Sequence, residues 1–519
     1  MTYTMKGLKF EIIISLFFFI LTLHVSAQSR SLKRGIGWDE KTQKISDAPI
    51  EKMLSGVSWF YNWGPAPSGN AARLGAENGM DFAPMCWNGN YNEATIRQYV
   101  TSHKGVKYLL GFNEPNFSAQ ANMTPSAAAG QWPRLEKLAA DLGLKLVAPA
   151  LNFTGEKVGG RIWSPYEWLD EFIKQYKSQN GRLPKMDCLA LHCYMNWYGS
   201  STWFTTEYFY KDLYVVNPTN NVVGKYPNIV DFLDTYKAAN GHFPRMMLTE
   251  FCSWEGDKDG FVTNLDNQID QMTQKIQMME QSDLVEGYAW FMANANGGIN
   301  EFPYMSVFQT NKADSELSAL GKVYVNMSSF DISRYYLPGE TIQAKDYVDA
   351  TRDNYVVKVR ANTEAGSTLP LQIELQNGSY PTYQIETAEA GEYKVTFHLK
   401  SAKASPIWFY VDGKPSVKAA GVATGNAWTD YEIKTNITAG KHTVYIYNAG
   451  SSSIFLNSWK YEPTTNGIDG VNADDKKCQT VYTVNGTMLG KGKIQDMNLA
   501  KGIYIVAQPT GEKIKTLIK

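Results

Sequence analysis

The stretch Tyr108–Pro115, with the sequence YLLGFNEP, is a short apolar run that ends at a carboxylate, Glu114. The stretch Arg245–Phe251, RMMLTEF, has the same pattern and carries Glu250 near its end. Apolar runs of about four to eight residues are typical of strands that are buried on both faces. We therefore predict that both stretches are buried strands and that each strand carries a functional side chain at its tip.

Eight such runs alternate with helical patterns between residues 33 and 326. They are Arg34–Trp38, Val57–Asn62, Met80–Cys86, Lys107–Asn113, Lys145–Pro149, Asp187–Tyr194, Arg245–Phe251 and Gly287–Phe291. Thr124-Pro125 and Ser164-Pro165 mark helix starts, because an N-cap hydroxyl followed by proline favours helix initiation. Eight strand–helix units over about 290 residues are typical of a TIM barrel. The predicted fold class is therefore α/β, with a (β/α)8 barrel over residues 33–333.

Two smaller β regions follow the predicted barrel. Residues 338–462 alternate polar and apolar positions, as in Gly391–Leu399 and Ile407–Val411, with frequent turns. This pattern predicts a β-sandwich. The linker 463–467, PTTNG, leads to residues 468–519, where short strand pairs predict a small C-terminal β domain.

Composition limits the classes of function. The chain has 519 residues and a net charge of −1, from 50 basic and 51 acidic residues. This balance argues against nucleic acid or an anionic membrane as the main partner. The 31 Tyr and 14 Trp residues suit either large cores or platforms for sugar rings, and we expect a mixture of both.

The N-terminus has the pattern of a signal peptide over residues 1–27. Lys6 and Lys9 precede the apolar stretch Ile12–Leu23, and Val25-Ser26-Ala27 is a small-residue cleavage pattern. Because the apolar stretch is short for a membrane span, we expect export, with an uncleaved anchor as the alternative. The protein is thus expected to be secreted or to lie at the cell surface.

The five cysteines predict neither a disulfide scaffold nor a metal site. Their number is odd, and no Cys-x-x-Cys spacing occurs. Most of them are expected to be small core residues. A bridge between Cys193 and Cys252, which both lie near strand ends, is the alternative.

The two strand-tip glutamates are the candidate catalytic residues. A TIM barrel carries its active site at the C-terminal ends of its strands, and by the order of the runs Glu114 ends strand four and Glu250 ends strand seven. Hydrolysis of a glycosidic bond needs one carboxyl group to protonate the leaving oxygen and another to attack or stabilise the anomeric carbon, with no metal or organic cofactor. The competing interpretations are a helix-start carboxylate for Glu114 and a structural ion pair for Glu250.

Other side chains near the strand ends are candidate substrate contacts. His192 and Tyr194 lie two residues apart on one strand face, where they either line the cleft or form a core pair. Tyr194 is also a candidate donor to Glu250, and Asn113 is a candidate partner of the sugar 2-hydroxyl and of the nucleophile. The aromatic candidates are Trp290, as the cleft floor or as barrel packing, and Trp63, Trp87, Trp197 and Trp254, as stacking residues or loop anchors. The aromatic-rich segment 196–226 is expected to form one wall of the cleft.

The predicted barrel resembles the catalytic domain of glycoside hydrolase family 128, a group of β-1,3-glucanases. The most specific matching motifs are Asn113-Glu114-Pro115 and Thr249-Glu250-Phe251. Supporting stretches follow in order: Lys33–Gly35, Val57–Trp63, Phe82–Met85, Leu191–Tyr194 and Tyr288–Phe291. The resemblance implies a retaining mechanism in which Glu114 is the acid/base and Glu250 is the nucleophile.

The two β regions have resemblances of their own. Residues 338–462 resemble a carbohydrate-binding module of family 6 or 35, through Ala344–Tyr347, Ala390–Tyr393 and Asn457–Trp459. This resemblance implies that Trp428 and Asn457 bind sugar. The tail resembles the C-terminal sorting domain of the Por (type IX) secretion system, through segments 481–486 and 499–506, which implies delivery by that export machinery.

These observations favour a secreted, retaining endo-β-1,3-glucanase that acts on β-glucan. Two alternatives stay open: a retaining hydrolase of another β-linked polysaccharide, and a surface glycan-binding protein without catalysis. The intact motifs around Glu114 and Glu250 argue against the second alternative. The sequence leaves the oligomeric state and the choice between endo and exo action open.

Overall fold

The computed structural model describes a defined set of residues. These are 28–38, 48–67, 75, 77–152, 157–194, 225–254, 264–294, 297–312, 314–464, 480–484, 486–491, 497, 499, 501–507 and 513–518. The predicted signal peptide, Trp197 and most of the aromatic-rich segment 196–226 lie outside the described residues.

Eight parallel strands form the central sheet of the catalytic region. They are β1 (Arg34–Gly37), β2 (Trp59–Tyr61), β3 (Asp81–Phe82), β4 (Tyr108–Leu110), β5 (Lys145–Val147), β6 (Cys188–Cys193), β7 (Arg245–Phe251) and β8 (Val285–Trp290). Their order in the sheet is β3-β2-β1-β8-β7-β6-β5-β4. The two edges meet beyond β3, where the Cys86 amide donates to the Leu110 carbonyl and the Leu110 amide donates to the Pro84 carbonyl, both at 2.9 Å. The core is therefore a curled, TIM-like sheet, and each of the eight predicted runs overlaps one of its strands.

Helices connect the strands on the outside of the sheet. Within the described ranges they are α1 (Ala48–Met53), α2 (Glu93–Ser102), α3 (Pro125–Leu142), α4 (Pro165–Asn180), α5 (Pro227–Asn240), α6 (Leu265–Gln281) and α7 (Ala319–Asn326). The hydroxyls of Thr124 and Ser164 cap α3 and α4 as predicted, each accepting a backbone N–H bond in the first turn. None of the helices in the described ranges is both long and apolar enough to cross a bilayer.

Side chains fill the interior of the barrel. Alternate strand positions point inward and form one buried cluster: Trp59, Tyr61, Ala83, Met85, Leu110, Val147, Ala150, Cys188, Ala190, Met247 and Ala289. Gly35 leaves the space that the large Trp59 ring needs, because a Cβ atom at Gly35 would lie 2.2 Å from that ring. The interior is thus a packed core, and only the rim at the strand ends is open for chemistry.

The cysteines of the barrel are buried. Cys86, Cys188, Cys193 and Cys252 lie in the core as expected for small apolar side chains. Cys193 and Cys252 lie on neighbouring chain segments, and the Cys252 amide donates to the Cys193 carbonyl at 3.3 Å. Their thiols are not joined in a disulfide, so the alternative of a bridge between them is wrong.

Two antiparallel sheets follow the barrel. The first contains β9 (Ile342–Gln343), β11 (Lys358–Ala361), β12 (Leu371–Leu375), β14 (Gly391–Lys400), β17 (Thr429–Ile437) and β19 (Ile454–Pro463). The second contains β10 (Asp349–Ala350), β13 (Pro381–Thr387), β15 (Ile407–Val411), β16 (Lys414–Ala419) and β18 (Gly440–Asn448). Aromatic contacts such as Phe397–Phe409 and Tyr383–Trp459 join the two sheets across a shared core.

These sheets pack directly against the barrel helices. The Arg360 guanidinium lies 2.7 Å from the Asp270 carboxylate of α6, and the Gln277 amide donates to Asp349 at 2.6 Å. The buried apolar cluster of the barrel continues into the sheets without a break.

A further antiparallel sheet has the strand order β21 (Met488–Lys491), β20 (Thr480–Thr483), β22 (Gly502–Ala507) and β23 (Lys513–Ile518).

Candidate active site

Glu114 lies in the turn that follows β4. Its φ of 44° is in the left-handed region, which non-glycine residues adopt rarely and at a cost of about 1–3 kcal/mol. Hydrogen bonds to the neighbouring chain hold this turn: the Glu114 amide donates to the Ala150 carbonyl at 2.8 Å, and the Ala150 amide donates to Phe112 at 2.9 Å. The sheet pairing beyond β4 therefore fixes the direction in which the Glu114 side chain leaves the backbone.

A β-bulge directs Glu250 into the barrel mouth. Leu248 of β7 pairs with Leu191 of β6, but the next β6 residue, His192, pairs with Glu250, so β7 contains one extra residue. The pairing with β8 has the same shift. Simple alternation would put Glu250 on the outward face with Leu248. A bulge re-aims the following side chains, and here it turns the carboxylate inward.

The two carboxylates face each other across His192. The imidazole Nδ1 lies 2.7 Å from Glu114 Oε1 and 3.4 Å from Glu250 Oε2. One carboxylate oxygen from each glutamate and a ring nitrogen of the histidine all lie within 4.8 Å of one another. Glu114 is 5% exposed and Glu250 is 4% exposed, so both residues are buried.

Neutral donors surround the Glu250 carboxylate. Trp63 Nε1 donates to Oε1 at 2.7 Å, the Tyr61 hydroxyl lies 3.3 Å from the same oxygen, and the Tyr194 hydroxyl donates to Oε2. Burial raises the pKa of Glu250, while His192 and the Tyr194 and Trp63 donors oppose this rise. The pKa of Tyr61 and Tyr194 is raised by burial and by Glu250, so both hydroxyls stay protonated donors at neutral pH.

Two donors converge on one oxygen of Glu114. Asn152 Nδ2 donates to Oε1 at 2.9 Å, and His192 Nδ1 lies 2.7 Å from the same atom. Burial disfavours the charged imidazole, but the Glu250 and Glu114 carboxylates outweigh it and raise the pKa of His192. Thr249 Oγ1 lies 3.0 Å from the second ring nitrogen, Nε2.

Glu114, His192 and Glu250 have the residue types of a metal site, but their surroundings suit a carboxylate pair. The O–H and N–H groups of Trp63, Tyr194 and Asn152 point their hydrogens at the carboxylate oxygens, whereas the Tyr61 hydroxyl donates at 2.8 Å to the Thr249 carbonyl. Such donors stabilise negative charge on the carboxylates themselves. That the site needs no metal stays a prediction of the chemistry.

The structure brings together most of the polar residues that the sequence singled out. Tyr194 makes the expected hydrogen bond to Glu250, and His192 lies between the two acids at 1% exposure. Asn113 is buried beside Glu114, but its Nδ2 donates to Gln120 Oε1 at 3.1 Å rather than to Glu250. Its Oδ1 is buried and has no hydrogen-bond partner among the described residues.

Aromatic rings form one side of the mouth. The Trp254 ring contacts Tyr194 with centroids 5.5 Å apart, and Phe291 contacts both Trp63 and Tyr194 edge to face. Trp87 is half-buried and packs against the barrel core, and its carbonyl accepts the Asn113 amide at 2.9 Å. Trp63 and Trp254 thus adjoin the carboxylates, whereas Trp87 braces the β4 turn.

Trp290 is not the cleft floor, and the alternative interpretation, barrel packing, is correct. Its ring is 0% exposed, and its indole N–H donates to the Met305 carbonyl at 2.8 Å. It packs against Phe251 and Tyr324, on the helix side of the sheet. Because Ala289 points into the barrel, alternation turns Trp290 outward, and the next residue, Phe291, takes the place at the mouth.

Sequence reasoning missed Tyr61, Asn152, Thr249 and Phe291. Tyr61 ends β2 and therefore follows the same strand-tip rule that identified the glutamates. Asn152 follows β5 by only a few residues, so the same rule would have included it. Thr249 shares the inward side with Glu250 only because of the bulge, and nothing in the sequence marks that bulge.

The two candidate sugar contacts of the sandwich lie in one polar cluster. Trp428 stacks on His398 with ring centroids 5.5 Å apart, and Lys400 Nζ lies 4.8 Å from the Trp428 ring. Asn457 is the extra residue of a bulge in β19, and its Nδ2 donates to Glu364 at 2.5 Å. Its Oδ1 is buried and has no partner in the described part of the chain.

A TIM-like core with two facing glutamates at its C-terminal rim is the arrangement of a glycoside hydrolase. Sequence comparison agrees with this class. The family described as "Glycosyl hydrolase catalytic core" matches residues 35–217 and 221–324, which is more than half of the 519 residues. The chain belongs to this family and is a glycoside hydrolase.

One curated protein and several solved structures are similar to the first part of the chain. Alkali-sensitive linkage protein 1 of Schizosaccharomyces pombe is 26% identical over 306 residues, which are 57% of this chain and 45% of the relative. The chain thus spans less than half the length of that curated relative.

Two solved structures are described as family 128, subgroup II, endo-β-1,3-glucanases. The enzyme from Pseudomonas viridiflava is 33% identical, with a TM-score of 0.42, over 57% of this chain and 98% of that chain. The enzyme from Sorangium cellulosum is 26% identical, with a TM-score of 0.40, over 56% and 97%.

Proposed function

We propose that this protein is a retaining endo-β-1,3-glucanase in which Glu114 is the acid/base and Glu250 is the nucleophile. The observation that carries the mechanism is the short gap between the two carboxylates, whose nearest oxygens lie within 4.8 Å. Retaining enzymes hold their carboxyl groups about 5–5.5 Å apart, whereas inverting enzymes need about 6.5–9.5 Å to fit a water. The β-1,3 linkage is inferred from the named activity of the glucanases that resemble this chain.

The first half-reaction forms a covalent glycosyl-enzyme. A Glu250 oxygen attacks the anomeric carbon, the bond from that carbon to the leaving oxygen breaks, and Glu114 gives its proton to the leaving oxygen. The donors Trp63 and Tyr194 hold Glu250 in place. They are neutral, so they orient the carboxylate without the strong charge pairing that would weaken it as a nucleophile.

The second half-reaction releases the sugar. Water enters where the leaving chain has departed, Glu114 takes its proton, and the water oxygen bonds to the anomeric carbon as the bond to Glu250 breaks. The configuration at that carbon is inverted twice and is therefore retained. The same O–H and N–H donors that hold Glu250 before attack also stabilise it as the leaving carboxylate.

Paired substitutions test this function. Wild type, Glu114→Gln and Glu250→Gln are assayed for release of reducing ends from laminarin and curdlan, with xylan and galactan in parallel. Glu51→Gln, an exposed acid on α1, is the matched control. We expect both site variants to lose hydrolysis and the control to keep it. A site variant that keeps most of its activity contradicts the role of that glutamate, and hydrolysis of only another polysaccharide contradicts the β-1,3 assignment.

We also propose that the sandwich binds glycan at Trp428 and Asn457 and that the protein is exported. Two observations support glycan binding: Asn457 Oδ1 has no partner among the described residues, and Asn457 is linked to Trp428 through Glu364 and His398. Retention on a β-glucan affinity gel tests glycan binding: Trp428→Ala should reduce retention without changing hydrolysis of a short oligosaccharide.

Mass spectrometry of the mature N-terminus after expression tests the proposed export through the predicted cleavage after Ala27.

A further inference from the structure

The two oxygens of Glu114 have different surroundings. Oε1 lies within hydrogen-bond distance of Asn152 Nδ2, at 2.9 Å, and of His192 Nδ1, at 2.7 Å. The hydrogen bonds that side chains of the described residues make to Glu114 both go to Oε1, and none goes to Oε2. This asymmetry matters for an acid/base catalyst, because a protonated carboxyl group holds its hydrogen on only one of its two oxygens.

The Asn152 donor is itself held by a buried neighbour. Asn116 is 0% exposed; its Nδ2 donates to the Asn152 carbonyl at 2.7 Å, and its Oδ1 accepts the Asn152 amide at 3.0 Å. This pair of bonds fixes the backbone of Asn152. The side-chain amide then presents its N–H₂ group to Glu114 without having to be ordered during the reaction.

The histidine donor is fixed in a comparable way. Nδ1 of His192 faces two carboxylates, Glu114 and Glu250, and must therefore be the nitrogen that carries a hydrogen. Nε2 lies 3.0 Å from Thr249 Oγ1, which can serve as either donor or acceptor. Thr249 thus holds the ring in plane while Nδ1–H points at Oε1.

We propose that Asn152 and His192 are positioning residues that keep the catalytic proton of Glu114 on Oε2, with Asn116 and Thr249 as their supports. A hydrogen on Oε1 would point at two N–H groups, whereas a hydrogen on Oε2 meets none. The proton passes from Oε2 to the leaving oxygen in the first step and returns from water to Oε2 in the second. This inference rests on the proposed function, because it assigns an atom to the acid/base role of Glu114.

A comparison of leaving groups tests the proposal. The kcat/KM values of wild type, Asn152→Ala and Thr249→Val are measured on a β-1,3-glucan oligosaccharide and on a dinitrophenyl glycoside of the same sugar. The dinitrophenolate leaves without needing a proton, so its departure does not depend on Oε2. Asn240→Ala, at the exposed end of α5, is the matched amide control.

We expect Asn152→Ala to lower kcat/KM on the oligosaccharide by about 10- to 100-fold, the loss typical of a hydrogen bond to a charged group. On the dinitrophenyl glycoside the loss should be less than about threefold. Thr249→Val should have the same selectivity with a smaller loss, and Asn240→Ala should match wild type. The melting temperature of each variant shows whether it is folded.

An equal loss on both substrates overturns the proposal, because it means that Asn152 supports the site generally rather than the proton. No loss on either substrate overturns it as well. Failure of the proposed function gives a different result: Glu114→Gln would then hydrolyse the oligosaccharide as fast as wild type. If Asn152→Ala does not fold, the smaller Thr249→Val substitution tests the proposal instead. The loss of kcat/KM on the oligosaccharide is then compared with the loss on the dinitrophenyl glycoside for that variant.

Discussion

The two ends of the barrel each hold a glutamate on neighbouring strands, β7 and β8, but with different partners. At the C-terminal end, Glu250 is held by hydroxyl and indole donors and by His192. At the N-terminal end, Glu286 accepts from Tyr108 at 2.7 Å and from Lys145 at 2.6 Å, with Arg245 at 3.3 Å. One acid is therefore surrounded by neutral donors and a histidine, and the other by two permanent cations.

This difference separates chemistry from stability within one fold. Burial acts against the ionised form of both acids, but bonds from Lys145 and Tyr108 overcome it and lower the pKa of Glu286. At Glu250 burial prevails and raises the pKa. A carboxylate neutralised by cations is a poor nucleophile and a good structural anchor. The opposite ends of a TIM barrel are used in this way in general, with catalysis at the C-terminal end.

The largest expected effect comes from Glu250→Gln. If Glu250 is the nucleophile, as we propose, its loss should lower hydrolysis by about 10⁴-fold or more, as with other covalent catalysts. Stability should not fall, because the change removes a buried charge that has no permanent cation beside it. Activity assays and thermal unfolding on the same sample measure both. A variant that loses activity together with several degrees of melting temperature would mean that Glu250 is structural.

The next largest expected effect is on kcat/KM, and it compares one hydrogen bond to Glu250 with one hydrogen bond to Glu286, at the two ends of the barrel. Trp63→Phe removes the donor at 2.7 Å from Glu250 and should lower kcat/KM by about 10- to 100-fold. Tyr108→Phe removes the donor at 2.7 Å from Glu286 and should leave kcat/KM unchanged. Steady-state kinetics on one oligosaccharide give both values. Equal losses of kcat/KM in the two variants would contradict the assignment of catalysis to the C-terminal end and stability to the N-terminal end of the barrel.

Glu286→Gln should have the reverse outcome of Glu250→Gln. We expect activity within about twofold of wild type and a free energy of unfolding lower by about 1–2 kcal/mol, because Lys145 and Arg245 lose their partner. Denaturant unfolding of both proteins measures the difference. A large loss of activity with unchanged stability would show that the N-terminal end takes part in the reaction.

The smallest expected effect is the pH dependence of the difference in unfolding free energy between wild type and Glu286→Gln. The folded-state pKa of Glu286 is lowered, so its stabilising contribution is fully present above the unfolded-state pKa, about 4.3. The contribution should disappear as the pH falls through the folded-state pKa. Unfolding free energies of wild type and Glu286→Gln should therefore converge in acid. A constant difference at every pH would mean that packing, not charge, causes it.

The sequence was sufficient for the strands and the two acids. The runs that end in Glu114 and Glu250 are apolar because the strands are buried on both faces, and that signal is local. The partners of these acids were harder to predict. Tyr61 and Asn152 lie on β2 and beyond β5, and only the closed order of strands brings them to the same rim.

Strand alternation explains why Trp290 is not the cleft floor and why the inward direction of Glu250 could not be derived from the sequence. The prediction for Trp290 treated the last large residue of β8 as the cleft residue, although its neighbour Ala289 already points inward. For Glu250 the reverse holds, because simple alternation would have turned it outward and the bulge in β7 corrects this. Bulges depend on how neighbouring strands fit together, which one stretch of sequence does not reveal.

The most direct test of the central claim is to trap the covalent intermediate. The enzyme is incubated with a dinitrophenyl 2-deoxy-2-fluoro-glycoside of a β-1,3-linked disaccharide, digested, and analysed by peptide mass spectrometry. We predict the added mass of one fluorinated disaccharide on the peptide that contains Glu250, and no adduct in Glu250→Gln. An adduct on another residue, or hydrolysis of the natural substrate with an inverted anomeric product and no adduct, would contradict the account.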